Sequence, residues 1–506
     1  MKEARDAARA AFPVPWDTVT PGEWRAPEDR SALLAWSNEG ADALGLRGGG
    51  AEGVSGAATF KASPDGIEAA TSLIPADPVY YAETDELHVI GNRALLVHLV
   101  ANGRVEYDVL ALQSMARQGY FLSEETPFTG VRALPPNSTL EVSHGISRLT
   151  TRDLPHGDSR TGVDDLASAL LNALTPLRST QEPVRLTLTG GRDSRLIAAM
   201  LHAADIPFTA TTYGTDRDPD VVIARRIAKQ LGVDHQVISQ AREGQVTVTH
   251  PLDRARDIVR VCEGMTSAYE NVVPYAPFTA KPTMGGQAGE ILRGGYLSGM
   301  ASIASPAVTR KVNTLFQGSS ALFTAEANEH AASLAAPWQS DNPRILDHLY
   351  VRYRTGRWHA AARTGALRRG TQVQPYLDAA VARIALATDP EWRWSERPVH
   401  DLIAHFSPRL ARIPLQGKPW RFTKHRWWHR KPTPDAPVWN WRHDAADHLY
   451  GTVRNSEPLA RIVHMDRLPD ASPTTLWHLY TVAVLLSEDL TTPPQPGGPP
   501  MTFHKQ

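Results

Sequence analysis

Cysteine is almost absent from this chain. Among 506 residues only Cys262 carries a thiol. A single thiol excludes a disulfide framework, and it excludes a zinc site made of cysteines alone. This composition is typical of a protein from a reducing compartment, so we expect the chain to be cytoplasmic.

The chain also lacks a charge excess and long apolar runs. Its formal net charge is -1, which gives no basis for a nucleic-acid or acidic-membrane partner. No stretch of about 18 apolar residues occurs, so we expect no membrane span, and Met1–Phe12 lacks the apolar core of a secretory signal. Hydrophobic residues make up 42% and charged residues 21%, as in a globular protein, and the length predicts two domains.

Two glycines follow an alternating apolar strand near the middle of the chain. The segment Val184–Ser194 reads VRLTLTGGRDS. Gly190 and Gly191 permit a sharp turn that brings backbone N–H groups against phosphate oxygens, and the helix opening at Ser194 directs its positive end to the same place. Asp193 would repel a phosphate unless a hard cation lay between them. The segment therefore predicts a pyrophosphate-binding loop that works with Mg²⁺.

The residues after this loop alternate between strand and helix patterns. Phe208–Tyr213 predicts a second strand, residues 218–231 predict a helix that Gly232 ends, and His235–Ser239 predicts a third strand. This order favours an α/β fold with a doubly wound parallel sheet, whose ligand would lie at the carboxyl ends of the strands.

The loop resembles the Ser-Gly-Gly-x-Asp-Ser loop of ATP pyrophosphatases, with Thr189 in place of the first serine. A second segment, residues 285–296, reads GGQAGEILRGGY and resembles the Ser-Gly-Glu-Gly-x-Asp-Glu-Leu-x-Gly-Gly-Tyr stretch of the asparagine synthetase and β-lactam synthetase group. The resemblance places Glu290 at the second magnesium carboxylate of that group, beside Asp193; the simpler interpretation is a solvated acid in a glycine turn. The ATP-binding residues that it implies are Leu188, Thr189, Gly190, Gly191, Asp193, Ser194, Thr212, Gly286 and Gln287.

Residues 1–160 predict a mainly β domain with short strands. Val79–Ile90 and residues 130–145 each have the pattern of a hairpin. The segment Asn92–Leu96 after a strand resembles part of the glutaminase domain of asparagine synthetases, which is an Ntn-type fold. Because Lys2 stands where that domain has its cysteine nucleophile, we expect a degenerate domain that does not hydrolyse glutamine.

Residues 161–490 are predicted to form the synthetase domain, whose C-terminal part is helical in pattern and rich in tryptophan. Within it, residues 422–431 interleave aromatic with basic side chains, a pattern that fits a peptide-binding surface, a nucleic-acid stacking platform or, most commonly, core plus a solvated face. His425 and His429 lack a third ligand, so we predict no zinc site. Residues 491–506 are rich in proline, and we expect a disordered tail.

Within this group the chain is most similar to the lasso-peptide macrolactam synthetases, through Arg195 after the loop serine and through Glu290 in place of aspartate. That resemblance implies an acyl-adenylate, formed with release of pyrophosphate. The N-terminal amine of a core peptide would attack it and close a ring on an Asp or Glu side chain. The implied partners are the precursor peptide and, in the same pathway, a leader peptidase and a leader-recognition protein.

The catalytic residues that the resemblance implies are Asp193, Glu290 and Lys418. Lys418 would stabilise the transition state, with Lys424 and Lys431 as alternatives, although a solvated surface charge is the simpler interpretation of each lysine. Gln287 stands where relatives have Glu or Tyr, which leaves the base open. We expect the region Trp392–Trp441 to wall a peptide cavity. The alternative functions are a β-lactam synthetase, an asparagine synthetase-like enzyme and a non-catalytic nucleotide-binding scaffold.

Overall fold

The structure is a computed structural model that describes most of the chain. The described residues are 2–11, 20–26, 30–37, 56–63, 65–155, 157, 162–180, 182–239, 245–272, 274, 282–364, 373–417, 419–423, 439–495 and 497–504. Among these residues, no helix combines the length and the apolar character that crossing a membrane requires.

Within the described residues, the strands fall into four sheets. They are β1 Thr20–Ala26, β2 Ser31–Ser37, β3 Thr59–Ser63, β4 Gly66–Ala70, β5 Tyr80–Glu83, β6 His88–Gly91, β7 Val131–Ala133, β8 Ser138–Ser143, β9 Ile146–Thr151, β10 Val184–Thr187, β11 Phe208–Tyr213, β12 His235–Ile238, β13 Gln245–Val248, β14 Thr283–Met284 and β15 Met501–His504.

The α-helices are concentrated in the second half of the chain. They are α1 Lys2–Ala11, α2 Ala94–Asn102, α3 Leu112–Gln118, α4 Val163–Ala173, α5 Asp193–Ala203, α6 Pro219–Leu231, α7 Pro251–Val261, α8 Ser305–Gln317, α9 Ala325–Ala335, α10 Arg344–Leu349, α11 Ala360–Thr364, α12 Ala379–Ala387, α13 Pro390–Trp394, α14 Arg397–Phe406, α15 Pro408–Ala411, α16 Trp441–Asp444, α17 Ala446–Arg454 and α18 Pro473–Ser487. A π-helix spans Tyr350–His359, and short 3₁₀ turns include Gly289–Arg293.

Two packed sheets form the N-terminal part, as the mainly β pattern predicts. One sheet has the strand order β1-β2-β6-β5-β7 and the other has the order β3-β4-β8-β9. Phe60, Ile67 and Leu140 of the second sheet share a buried cluster with Leu33 and Ile90 of the first. Apolar residues on one face of each sheet therefore explain the packing. The likeness of this part to a glutaminase domain stays a prediction.

One of the two predicted hairpins is confirmed and the other is wrong. Strands β5 and β6 pair antiparallel within the predicted segment Val79–Ile90. In residues 130–145, however, β7 and β8 belong to different sheets, and β8 pairs instead with β9. Two residues with positive φ, His144 at 51° and Gly145 at 70°, make the tight β8–β9 turn. The prolines between β7 and β8 cannot donate ladder hydrogen bonds, so the chain crosses between the sheets there.

A parallel sheet forms the centre of the second half, and its first three strands lie where the sequence predicts them. The strand order is β12-β11-β10-β14, and each neighbouring pair is parallel. The helix α6 ends where Gly232 adopts a φ of +69°. Because β11 and β14 lie on opposite sides of β10, the strand order reverses at β10. Ligands of open α/β sheets bind at such a reversal, beyond the carboxyl ends of the strands.

The largest core joins the two predicted domains. Helix α18 is buried almost all round and packs against α3, α7 and α17. Its residues share one cluster with Leu96 of α2 and Met115 of α3. The buried carboxylate of Glu263 also accepts hydrogen bonds from the first backbone N–H groups of α2, at Ala94 and Leu95. Residues 1–160 thus contribute to the core of the C-terminal helices, and the boundary at residue 160 stays a prediction.

The expectation of a disordered tail is wrong for its described end. Strand β15 pairs antiparallel with β13. The backbone N–H groups of Gly497 and Gly498 donate to the carboxylate of Asp253. Phe503 is 7% exposed and stacks on Trp441 with ring centroids 5.6 Å apart. The alternating residues after the last prolines thus find an open strand edge and a core contact, which the proline content of the segment conceals.

Candidate active site

The two predicted motifs meet at the reversal of the parallel sheet. The first loop follows β10 and the second follows β14, and these strands are adjacent and parallel. A side chain at Gly289 would come within 2.5 Å of the Asp193 carboxyl carbon, and one at Gly286 within 2.8 Å of the Ser194 backbone nitrogen. Only glycine permits this approach. The second loop therefore lies directly against the N-terminus of α5.

The first loop uses most of its own amide groups for internal hydrogen bonds. The Thr189 N–H donates to the Ser194 hydroxyl at 3.0 Å, and the Gly191 N–H donates to the Thr189 hydroxyl at 3.2 Å. The Gly190 N–H donates to the carboxylate of Asp220 at 2.8 Å. In this geometry these three N–H groups have acceptors within the protein, as amide groups away from water usually do, and their contact with phosphate stays a prediction. The first N–H groups of α5, which have no intrahelical acceptors, are the better anion site.

Three charged side chains lie together beside this helix end. Arg293 donates from Nε to Asp193 Oδ1 at 3.1 Å and from Nη2 to Asp193 Oδ2 at 2.7 Å. The same Nη2 lies 3.9 Å from an oxygen of Glu290. The Tyr350 hydroxyl donates to the other Glu290 oxygen at 3.0 Å, and the Tyr376 hydroxyl donates to the Asp193 backbone carbonyl at 2.8 Å. Both predicted carboxylates are thus held in place at one site.

Burial and charge set the protonation of this cluster. Burial raises the pKa of the Asp193 carboxyl, the Arg293 guanidinium lowers it, and the Glu290 carboxylate raises it again. Burial lowers the pKa of Arg293, but the contact with Asp193 outweighs this effect and the pKa rises overall. Burial and Glu290 hold the pKa of Tyr350 well above its ordinary value, so its hydroxyl keeps the proton that it donates.

The two carboxylates fit a magnesium ion that arrives with phosphate, and not one held by protein alone. In the described parts of the chain, no group of three or more histidine, cysteine or acidic residues could hold a metal ion. Magnesium is commonly bound through one or two carboxylates together with substrate phosphates. Glu290, whose side chain is 41% exposed, is open to such an ion, whereas Asp193 is 17% exposed and already engaged by Arg293.

A cavity of about 590 Å³ opens in front of these carboxylates. This volume lies in the usual range of small-molecule sites. Of the predicted site residues, those in the wall are Thr189, Gly191, Asp193, Ser194, Gly286, Gln287 and Glu290. The wall does not include Leu188, Gly190 or Thr212. Thr212 is 1% exposed, and its hydroxyl donates to the Leu188 carbonyl at 2.7 Å. Thr212 thus supports the start of the loop through this hydrogen bond.

A π-helix forms part of the cavity wall, and no sequence pattern indicated it. Tyr350, Arg354 and Trp358 lie four residues apart along Tyr350–His359 and all line the cavity. The Arg354 guanidinium carbon lies 3.6 Å from the Trp358 ring centroid, which is a cation–π contact. π-Helices are rare and occur frequently at functional sites. The only sequence signal was the regular spacing of these three side chains.

Gln374 also lines the cavity, and no sequence pattern indicated it. The residue is 5% exposed, and among the described residues its side-chain oxygen accepts no hydrogen bond. An amide oxygen buried without a partner costs about 1–3 kcal/mol. A ligand N–H in the cavity would remove this cost, so Gln374 is a candidate recognition residue.

The three candidate lysines, Lys418, Lys424 and Lys431, all lie outside the described residues. The chain on either side of residue 418 contacts the first loop. The Gln416 N–H donates to the Gly190 carbonyl at 3.0 Å, and the Pro419 carbonyl accepts from Arg192 at 3.0 Å. The choice among the three lysines, and the role of Lys418, stay predictions.

The expected tryptophan wall is wrong for the described part of Trp392–Trp441. Among its described residues, no tryptophan lines the cavity. The Trp394 indole donates to the Met300 carbonyl at 3.1 Å, and Trp420 is 8% exposed within a core cluster. Trp441 packs edge-on against Trp477. These tryptophan rings pack against the core because burying their large apolar area is favourable. Residues 424–431 of the aromatic and basic run, with His425 and His429, lie outside the described residues.

Comparison with known proteins finds a family match in the middle of the chain. Residues 165–398 match the asparagine synthase family. This part of the chain is therefore similar to asparagine synthases. Curated proteins give no match. A similar solved structure is NMN synthetase from Francisella tularensis, with 17% identity and a TM-score of 0.18 over 27% of this chain and 59% of that chain. The chain thus spans less than two thirds of that relative, and so partial a likeness says nothing about activity.

Proposed function

We propose that this protein is an ATP-dependent ligase that forms an amide bond through an acyl-adenylate, with release of AMP and pyrophosphate. The observation that carries the proposal is the meeting of Asp193 and Glu290 at one cavity, beyond the carboxyl ends of β10 and β14. The match of residues 165–398 to the asparagine synthase family supports the same class of reaction.

The residues of the cavity suit the first step, in which a carboxylate attacks ATP. The N-terminal N–H groups of α5 face developing charge on the pyrophosphate without having to reorganise. Glu290 would hold Mg²⁺, which neutralises charge on the leaving pyrophosphate when bound, beside the ion pair of Asp193 with Arg293. Tyr350 keeps Glu290 oriented by its hydrogen bond of 3.0 Å. Lys418 is our candidate for stabilising the later tetrahedral step.

We propose further that the amine and the carboxyl belong to one peptide, which the enzyme closes into a macrolactam. Arg354 in the cavity wall could form an ion pair with an acidic side chain of the substrate, and the Gln374 oxygen could accept a hydrogen bond from a peptide N–H. The single thiol of the chain is not a candidate nucleophile for this reaction, because Cys262 is 1% exposed within the core. The proposed partners are the precursor peptide, a leader peptidase and a leader-recognition protein.

The products of ATP test the class of reaction. With magnesium and a suitable acceptor, the protein should convert ATP to AMP and pyrophosphate, because Mg²⁺ in this cavity would neutralise charge on the leaving pyrophosphate. Ion-exchange chromatography of the nucleotides and an enzymatic pyrophosphate assay measure both products. Release of ADP and phosphate instead would contradict the proposal, and nucleotide binding without any turnover would favour a scaffold.

Mass spectrometry tests the particular reaction. A linear peptide with a free N-terminal amine and an internal Asp or Glu should lose one water when incubated with the protein, ATP and Mg²⁺. Acetylating the amine, or changing the acid to its amide, should each prevent the loss, because either change removes a reacting group. ATP-dependent joining of two small molecules, with no peptide cyclised, would instead support a β-lactam synthetase or asparagine synthetase-like activity.

A further inference from the structure

An arginine, Arg293, binds Asp193, one of the two carboxylates in the cavity wall. Arg293 uses two N–H groups to bind both oxygens of Asp193, at 3.1 and 2.7 Å. It reaches Glu290 at 3.9 Å with the same nitrogen that makes the shorter contact. The described wall of the cavity includes both carboxylates but not Arg293, so the guanidinium approaches Asp193 from the protein side.

This arrangement changes the charge that a polyphosphate meets. Two adjacent carboxylates would repel an incoming phosphate and would raise the pKa of each other. A two-pronged arginine contact is the strong form of ion pair, and it neutralises one of the two charges. Because Arg293 is 13% and Asp193 is 17% exposed at the side chain, solvent screens this pair little.

A comparison within the protein separates this pair from an ordinary structural ion pair. Arg393 also binds both oxygens of Asp347, from Nη1 and Nη2, but those side chains are 1% and 4% exposed and neither lines the cavity. Asp193 is the partner that lines a ligand-sized cavity, at the first position of α5. Neutralising it therefore bears on ligand binding and not on packing alone.

We infer that Arg293 supplies at Asp193 the positive charge that a magnesium ion would otherwise supply, so that polyphosphate enters the cavity with only weak dependence on Mg²⁺. The inference rests on the proposed function for the identity of the ligand, and it makes Arg293 a positioning residue. A carboxylate already neutralised by arginine is a poorer metal ligand, so metal affinity at the site should also be low. Glu290 keeps its charge for an ion that arrives with ATP.

Calorimetric titration with inorganic pyrophosphate and with ATP tests this inference, each in EDTA and in Mg²⁺. The natural protein should bind both ligands in EDTA, with affinities within about tenfold of those in Mg²⁺. The affinity of Arg293→Met for both ligands should fall by about 10- to 100-fold in EDTA, which is equivalent to one charge-assisted hydrogen bond. In Mg²⁺ its affinity should return to that of the natural protein. The affinity of Arg293→Lys in EDTA should lie between those of the natural protein and Arg293→Met, because lysine keeps the charge but cannot bind both carboxylate oxygens as a guanidinium does. Arg310→Met, at an exposed position of α8, is the matched control.

A metal titration gives a second measurement that does not depend on turnover. Mn²⁺, followed by electron paramagnetic resonance, should bind Arg293→Met more tightly than the natural protein, because both carboxylates are then available. Thermal unfolding of each variant establishes that it is folded.

The outcomes separate this inference from the proposed function. Binding of ATP by the natural protein only in Mg²⁺ would overturn the role of Arg293 and leave the ligase proposal intact. Equal affinities of Arg293→Met and the natural protein in EDTA would also overturn the role of Arg293 and leave the ligase proposal intact. Failure to bind either ligand under both conditions would overturn the nucleotide site itself, and the role of Arg293 with it.

Discussion

Exchanging Asp193 for asparagine should lower the rate of pyrophosphate release from ATP by about 100-fold or more, the usual loss when one preorganised electrostatic group is removed from a reaction site. The Asp193 carboxylate lines the cavity at the start of α5. An amide of the same shape cannot pair with Arg293 as a charge, so the guanidinium loses the partner that holds it beside Glu290.

The control for this change is Asp466→Asn, because that side chain is 81% exposed and does not line the cavity. The control should keep its full rate, since surface substitutions of this kind have small effects. Circular dichroism and a thermal melt show whether Asp193→Asn folds. A folded variant that releases pyrophosphate at nearly the natural rate would remove Asp193 from the reaction.

The parallel sheet could be predicted because its signals are local. Each of β10, β11 and β12 is a short apolar pattern, and glycines mark the loop after β10 and the end of α6. The order of these elements favours a parallel sheet, and a parallel sheet brings the ends of its strands to one edge. The meeting of Asp193 with Glu290 follows from that geometry once β14 lies beside β10.

The partners of those carboxylates could not be predicted from spacing. Arg293 lies 100 positions from Asp193, and Tyr350 lies 60 positions from Glu290. A side chain four residues from the next, such as Arg354 from Trp358, suits an ordinary helix as well as a π-helix. Contacts of this range depend on the packing of whole elements, which no local pattern records.

Two errors of sequence reading have a common physical cause. Residues 130–145 and the end of the chain both contain prolines beside short alternating segments. Proline prevents local pairing, but it does not prevent the next few residues from pairing with a distant strand. Strand β8 thus finds β4 and β9, and β15 finds β13.

Arg195 connects the first loop to the segment that precedes Lys418, and this gives a physical account of an arginine after the loop serine. Its side chain is fully buried. It donates to the carbonyls of Gly190, Ile413 and Pro414, at 3.2, 2.6 and 2.7 Å. Burial lowers the pKa of Arg195 to about 10, so the guanidinium remains charged at neutral pH. One side chain thus holds two distant parts of the site together.

Arg195→Met should therefore lower the free energy of unfolding by about 3–5 kcal/mol, because methionine fills part of the space but leaves several buried carbonyls without donors. Urea unfolding at neutral pH measures the loss. Arg226→Met, at an exposed position of α6, should change stability by less than about 0.5 kcal/mol and serves as the matched control. ATP binding should also weaken in Arg195→Met, since Gly190 and the chain near residue 414 lose their common anchor. An unfolding midpoint equal to that of the control would show that these carbonyls find other donors and that Arg195 does not hold the site together.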